Sequence, residues 1–308
     1  SLLPVGSSHT DVRYLALAAG DRVTPAQVMA TASDEPDFGI DIGLFEDNDT
    51  QAGASYGFGV QPFGNPNLPY GSQAPFHMGF YHLDWLTRTA QPDLLRTHAA
   101  ERVTVFGALS DLAFATGHDY WGWRFAGWAL HYIGDLSQPY HAQPLPGVST
   151  ARALWLVVRG RSDEAVQLVS NRHGVIESYQ HQRLMAALDG DESAAGLLDA
   201  IASEPAMAWD ENTFVGRLAL ESVAAGSALD EALEAHVPAR YVSDPDFEWT
   251  GSGEETALVA TLKRKGGADT ITALDAILAE QLERFGRYAH AWVLRTAVQA
   301  AAAAEGSN

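Results

Sequence analysis

The residues best suited to chemistry lie in one short segment, His131-Tyr-Ile-Gly-Asp135-Leu-Ser-Gln-Pro139-Tyr-His141. His131 and Asp135 are four positions apart, so on a helix their side chains project from one face. Pro139 cannot continue the hydrogen-bond ladder, so the helix should end nearby and let the chain turn His141 back toward that face. Because imidazole nitrogens and carboxylate oxygens are the zinc ligands available without thiolates, the segment predicts a metal site.

A second pair with helical spacing is His173 and Glu177. Such a pair often shares only a surface hydrogen bond, and a histidine among aromatic residues is often a hydrogen-bonded core residue. Packing alone does not explain the first segment, with its Gly-Asp pair, its Gln-Pro stop and its second histidine. Neither pair has the two histidines and internal glutamate of a metalloprotease helix. We therefore expect two or more metal ions, held by inward-facing side chains of several helices.

Long segments with apolar residues at three- and four-residue spacing predict the helices that would position these side chains. They lie near 93–116, 119–138, 150–170, 173–188, 212–235 and 268–303. Helix-start signals occur at Thr24-Pro25 and at Pro92-Asp93. Because no series of alternating β-branched segments predicts a sheet, we expect an all-α fold. Residues 1–308 would form a single multi-helix domain with a multinuclear metal site between helices.

The stretch from Asp37 to Pro75 departs from this helical pattern because it is rich in Gly, Pro, Asn and aromatic residues. A loop of this length inside a domain is usually either functional or disordered. Its aromatic residues can pack, which argues against disorder. We expect an ordered loop that lines the site, with a surface loop of no function as the alternative.

Composition narrows the classes of function. The chain of 308 residues has no cysteine, which excludes disulfides and thiolate metal sites. Its 19 basic and 39 acidic residues give a net charge of −20, which argues against binding of duplex nucleic acid. No apolar run reaches the roughly 20 residues that span a bilayer. The chain begins with Ser1 rather than Met, as after leader removal or trimming, and we expect a secreted or periplasmic protein.

The first segment, read as His131-Tyr-x-Gly-Asp135-x-Ser-x-Pro139-x-His141-Ala, resembles the signature of the bacterial zinc-dependent phospholipases C. The same fold family includes the single-strand-specific zinc nucleases of fungi and plants. The resemblance implies one helical domain over nearly the whole chain and a site for two or three zinc ions. It also implies that His131 and Asp135 bind the first zinc ion, with Asp135 bridging to another ion.

The resemblance implies further ligands. Those of the second zinc ion would be His141, His173 and Glu177. Asp34 would be the family's early aspartate, and His77 would be the histidine that follows the loop. His9 would be the N-terminal histidine that binds the third zinc ion. Asp37 and Asp41 compete with Asp34 for the first of these roles, and His82 competes with His77.

The chain departs from the family pattern at several positions. Family members typically begin with a tryptophan that binds the third zinc ion, whereas this chain begins Ser-Leu-Leu-Pro. The spacing from Asp34 to His77 is also longer than expected, and the Asn usual shortly after the second histidine is replaced in His141-Ala-Gln-Pro144. The occupancy of a third zinc site therefore stays open.

Clustered zinc ions hydrolyse phosphoesters because they supply hydroxide near neutral pH and neutralise charge on the phosphoryl oxygens. We expect Asp34 and Asp135 to belong to this catalytic centre. Ala142 stands where the nuclease branch usually has an acidic residue, which favours a phospholipase C that cleaves a phospholipid headgroup. Transient contact with a membrane surface is then expected. A nuclease or other phosphoesterase, and a metal-stabilised binding protein without turnover, are the alternatives.

Three aromatic residues of the loop are candidate substrate contacts, namely Tyr56, Phe58 and Phe63. Their rings could contact a choline-like headgroup by cation–π attraction or stack on a nucleobase. They could equally serve to pack the loop.

Overall fold

The computed structural model describes residues 17–147, 159, 161–204 and 208–306. Within these ranges there are twelve α-helices and no strand, which confirms the all-α prediction. The helices are α1 (Pro25–Ala32), α2 (Gln51–Tyr56), α3 (Ala74–His77), α4 (Trp85–Ala90), α5 (Ala99–Ala115), α6 (Asp119–Ser137), α7 (Pro139–Ala142), α8 (Ser162–Leu188), α9 (Ala195–Ile201), α10 (Phe214–His236), α11 (Ala239–Val242) and α12 (Leu258–Gly306).

Helix α6 is the centre of one half of the core. It packs against α1, α5, α10 and α12, and its residues Tyr132, Ile133 and Leu136 are fully buried. Trp292 of α12 lies against it and donates its indole N–H to the Ala126 carbonyl at 2.9 Å. Burial of these side chains holds the His131 end of α6 rigidly inside the protein.

The other half of the core forms around α8. Val175, Ile176 and Tyr179 of this helix are buried against residues of α10, α11 and α12. Trp249, which follows α11, is also buried there, and its indole N–H donates to the Ser178 hydroxyl at 3.1 Å. The candidate metal ligands of α8 and those of α6 and α7 thus lie on helices that pack in two different parts of the core.

The predicted helix boundaries hold in part. Thr24 caps α1 and exchanges hydrogen bonds with Gln27, as the start signal indicated. The second start signal is wrong, because Pro92–Leu95 form a separate 3₁₀ turn and α5 begins only at Ala99. Two helices were predicted at 150–170 and 173–188, but from Ser162 onward they form the single helix α8. Much of 150–160 lies outside the described residues.

The stretch from Asp37 to Pro75 is ordered and contains more local structure than expected. Helix α2, the start of α3 and 3₁₀ turns at Glu46–Asn48 and Gly71–Gln73 lie within it. Phe45 and Phe76 are fully buried against each other, with ring centroids 5.2 Å apart. Packing of these aromatic rings therefore orders the segment that leads to His77.

Helix α12 begins ten residues before the predicted segment 268–303 and is interrupted at Gly267, whose φ of 71° is not helical. Among the residues that the structure describes, no helix has the length and apolar character needed to cross a membrane.

Candidate metal centre

The turn between α6 and α7 brings His141 back toward the helix that precedes it. Gln138 is extended (φ −94°, ψ 127°), and its side-chain oxygen accepts the backbone N–H of Tyr140 at the start of α7. The Arg284 guanidinium donates twice to the carbonyl of Ser137, at 2.9 and 3.1 Å. His141 consequently places its Nδ1 atom 3.6 Å from Oδ1 of Asp135. The convergence predicted for this segment is confirmed.

The first group of candidate ligands consists of Asp37, His77 and His131, together with Asp135. Nδ1 of His77 lies 3.0 Å from Nε2 of His131 and 2.9 Å from Oδ2 of Asp135. Oδ1 of Asp37 lies 3.7 Å from the same His77 nitrogen and 3.6 Å from the same His131 nitrogen. Atoms bound to one zinc ion at 2.0–2.2 Å are about 3.4 Å apart in a tetrahedral site, so these spacings suit a metal ion.

The second group consists of His141, His173 and Glu177. Nε2 of His141 and Nε2 of His173 lie 2.7 Å apart, and Oε1 of Glu177 is 2.8 Å from the His173 nitrogen. The same carboxylate oxygen is 3.5 Å from Nε2 of His141. The ligand atoms of this group, like those of Asp37, His77 and His131, all lie within 4.8 Å of one another.

Hydrogen bonds on the far side of two imidazoles select the nitrogen that faces each group. Nδ1 of His131 donates to the carbonyl of Ser33, and Nδ1 of His141 donates to the carbonyl of His77, both at 2.8 Å. In the neutral form each ring therefore presents the lone pair of Nε2 to its group. Paired imidazole nitrogens with carboxylates and no sulfur fit zinc or another first-row divalent ion.

Asp135 lies beside the first group and also close to His141 of the second group. Burial alone would raise the pKa of its carboxyl, but the imidazoles of His131, His141 and His77 lower this pKa to about 2. Its Oδ2 atom faces the first group and its Oδ1 atom faces His141. Oδ1 is thus close to the Nδ1 edge of the His141 ring, whereas His173 and Glu177 lie at its Nε2 edge.

The structure places Asp37 in the first group at the position for which Asp34 was proposed. Asp34 is exposed and precedes the 3₁₀ turn Glu35–Phe38, and it joins neither group among the described residues. The turn is anchored by buried Glu35, which accepts hydrogen bonds from Arg124 at 2.8 and 2.9 Å. Asp37, about one turn further along the chain, is the carboxylate that lies near the two histidines, and a ligand role for Asp34 stays a prediction.

The remaining predicted histidines divide clearly. His77 is buried in the first group, whereas Nε2 of His82 contacts the carbonyl of Gly216 at 2.7 Å and joins neither group. His9 lies outside the described residues. Of the two histidines that follow the loop, His77 is thus the one that lies in a candidate group.

The loop aromatic residues proposed as substrate contacts have different surroundings. Phe58 packs edge-on against Phe76 with centroids 4.9 Å apart, and Phe63 stacks on Phe80 at 5.6 Å. Tyr56, in contrast, is 66% exposed. Packing is thus the observed role of the two phenylalanines, and substrate contact stays a prediction.

Sequence reasoning missed Tyr70, an aromatic residue of the Asp37–Pro75 stretch. Burial raises the pKa of its hydroxyl, a hydrogen bond with Thr250 lowers it, and the charges of Glu177, Glu248 and Asp37 raise it further. Because Glu177 and Asp37 belong to different groups, the charges of both groups act on this hydroxyl. No spacing rule pointed to it, since it depends on the path of the loop.

The metal-free protein should lose stability as the pH rises from about 6.5 to 9. Burial alone would lower the pKa of His141, but Asp135 and Glu177 raise it from 6.5 to about 9. Because folding raises this pKa, protonated His141 contributes its full stabilisation below pH 6.5. The contribution is lost as the pH rises toward 9 and His141 loses its proton. Urea unfolding of chelator-treated protein should show a loss of up to about 3 kcal/mol over this range.

Zinc should reverse this trend, since a ligand must give up its proton before it binds a metal. The stabilisation by added zinc should therefore increase over the same pH range. A metal-free protein whose unfolding free energy is flat or rises between pH 6.5 and 9 would contradict the assigned environment of His141.

No protein-family model matches this chain, and no curated protein or solved structure is significantly similar to it.

Proposed function

We propose that the protein is a zinc-dependent phosphodiester hydrolase, most closely a phospholipase C that releases diacylglycerol and a phosphorylated headgroup. The observation that carries the proposal is the closeness of two groups that could each hold a metal ion, with Asp135 near His77 of the first group and His141 of the second. A closed structural site needs only one ion surrounded by protein ligands. Two adjacent metal sites are instead the arrangement of many hydrolases, phosphatases and nucleases among them.

Each side chain has a definite part in this proposal. His77, His131 and Asp37 would hold one ion, and His141, His173 and Glu177 another, with Asp135 shared. Zinc bound there would supply hydroxide near neutral pH and neutralise charge on the phosphoryl oxygens. The hydrogen bonds from His131 to Ser33 and from His141 to His77 keep the rings oriented before substrate arrives.

The negative charge of the exposed carboxylates in the two groups favours a phospholipid substrate over a nucleic acid. Glu177 and Asp37 are half exposed, with side-chain exposures of 53% and 52%. Glu248 lies close enough to Tyr70 to affect its pKa, and both its oxygens are buried without a hydrogen-bond partner among the described residues. Carboxylates repel a polyanion but attract the ammonium of a zwitterionic headgroup. The exposed Tyr56 and the Tyr70 ring could add cation–π contacts.

A paired assay of the zinc-loaded protein tests this proposal. Phosphatidylcholine vesicles should yield diacylglycerol, and single-stranded DNA and RNA should stay intact under the same conditions. Cleavage of nucleic acid without lipid hydrolysis would favour the nuclease of the same fold. A protein that cleaves neither substrate, and that unfolds when a chelator removes its metal, would be a metal-stabilised binding protein.

A further inference from the structure

The two nitrogens of His77 face different surroundings. Nδ1 faces the first group, whereas Nε2 points away from it toward Oδ2 of Asp41 at 3.6 Å. The imidazole is buried, and among the described residues Nε2 has no hydrogen-bond partner. A buried ring N–H without a partner is costly, so Asp41 is the group that can accept this proton.

Asp41 is itself held from two sides. The carboxylate is completely buried, its Oδ2 atom accepts the hydroxyl of Tyr132 at 2.5 Å, and its Oδ1 atom lies 2.6 Å from the Arg102 guanidinium. Arg102 in turn lies over the ring of Phe76, 4.6 Å from its centroid. Tyr132 remains a donor, because burial and the charge of Asp41 raise the pKa of its hydroxyl far above the physiological range.

We propose that Asp41 is a positioning residue that holds His77 as a metal ligand, and that Arg102 and Tyr132 keep Asp41 in place. A carboxylate beside Nε2 makes this the protonated nitrogen, so that Nδ1 offers its lone pair to the first group. The same contact fixes the ring plane. This role rests on the proposed function, since it requires a metal ion beside His77.

The chain contains a matched control for this network. Asp275 is also bound by an arginine and a tyrosine, with Arg183 at 2.7 and 3.0 Å and the Tyr179 hydroxyl at 2.7 Å. No candidate metal ligand is joined to that triad in the described part of the chain. The variants Asp41→Asn and Asp275→Asn therefore remove the same type of charge from the same type of network, and only the first touches His77.

Competition with a zinc-binding dye measures the affinity of each site in the wild type and in both variants. Asp41→Asn should weaken one of the two zinc sites about 10- to 100-fold and leave the other unchanged. Asp275→Asn should leave both affinities unchanged, although it lowers the thermal midpoint. Tyr132→Phe, which keeps the ring and removes one hydrogen bond to Asp41, should weaken the same site by a smaller factor and serves if Asp41→Asn does not fold.

The possible results separate two failures. Unchanged affinity in folded Asp41→Asn or Tyr132→Phe, or an equal loss in the Asp275→Asn control, would overturn the positioning role alone. A wild-type protein that binds fewer than two zinc ions would overturn the proposed function, and the positioning role would fall with it.

Discussion

Replacement of Asp135 by asparagine is expected to abolish phosphodiester hydrolysis and to release at least one zinc ion. The carboxylate lies 2.9 Å from the His77 imidazole and 3.6 Å from that of His141, and in the proposed function it is shared by both ions. An amide has the same shape but no charge, so it cannot bridge two divalent ions. We expect a fall in kcat of about 1,000-fold or more, measured on vesicles of phosphatidylcholine.

The matched control for this variant is Asp119→Asn, which makes the same change at an exposed position in the first turn of the same helix. It removes a favourable charge near the helix N-terminus and should cost less than about 1 kcal/mol. Its activity should equal that of the wild type. An Asp135→Asn protein that retains both ions and most of its activity would disprove the bridging role.

Replacement of His141 by alanine is expected to empty the second group and to stop lipid hydrolysis. Its Nε2 atom faces His173 and Glu177, while its Nδ1 atom donates to the His77 carbonyl. The variant thus removes one ligand and also a link between the two groups. We expect a loss of one zinc ion and a decrease in kcat of about 100-fold or more.

Elemental analysis and the lipid assay on the same preparation check this result. His118→Ala is the control, because His118 is exposed. Within the described part of the chain, the one hydrogen bond of its imidazole is with the Thr116 hydroxyl, at 3.1 Å. Chelation should abolish the wild-type activity, and zinc should restore it. A His141→Ala protein with two ions and full activity would remove His141 from the site.

The geometry around the first segment was predictable because it is local. Helical spacing places His131 beside Asp135, and Pro139 ends α6 where a turn can bring His141 back. His173 and Glu177 were identified by the same rule. That these two pairs meet is a property of helix packing, which helical spacing alone does not determine.

The aspartate of the first group was not predictable in the same way. Asp34, Asp37 and Asp41 all lie in one short stretch, and only the 3₁₀ turn before Gly39 decides which carboxylate faces the histidines. Gly39 leaves this turn with a φ of 109°, a conformation that glycine adopts readily. Asp37 then faces His77 and His131, while Asp41 lies behind His77.

The network behind His77 was missed because its members are far apart in the chain. Arg102 comes from α5 and Tyr132 from α6, and each contacts Asp41 only after the loop has folded. Neither residue belongs to a spacing pattern that predicts metal binding. Tyr132 follows the candidate ligand His131 directly, and this position was the available sequence signal that its hydroxyl belongs to the network.

The zinc content of the intact protein tests the central claim most directly. The protein is stripped with a chelator, reloaded with zinc, freed of excess metal by gel filtration and measured by elemental analysis. The two candidate groups predict at least two tightly bound zinc ions per chain, and a third only if further ligands complete another site. Fewer than two zinc ions per chain in folded protein would contradict the account.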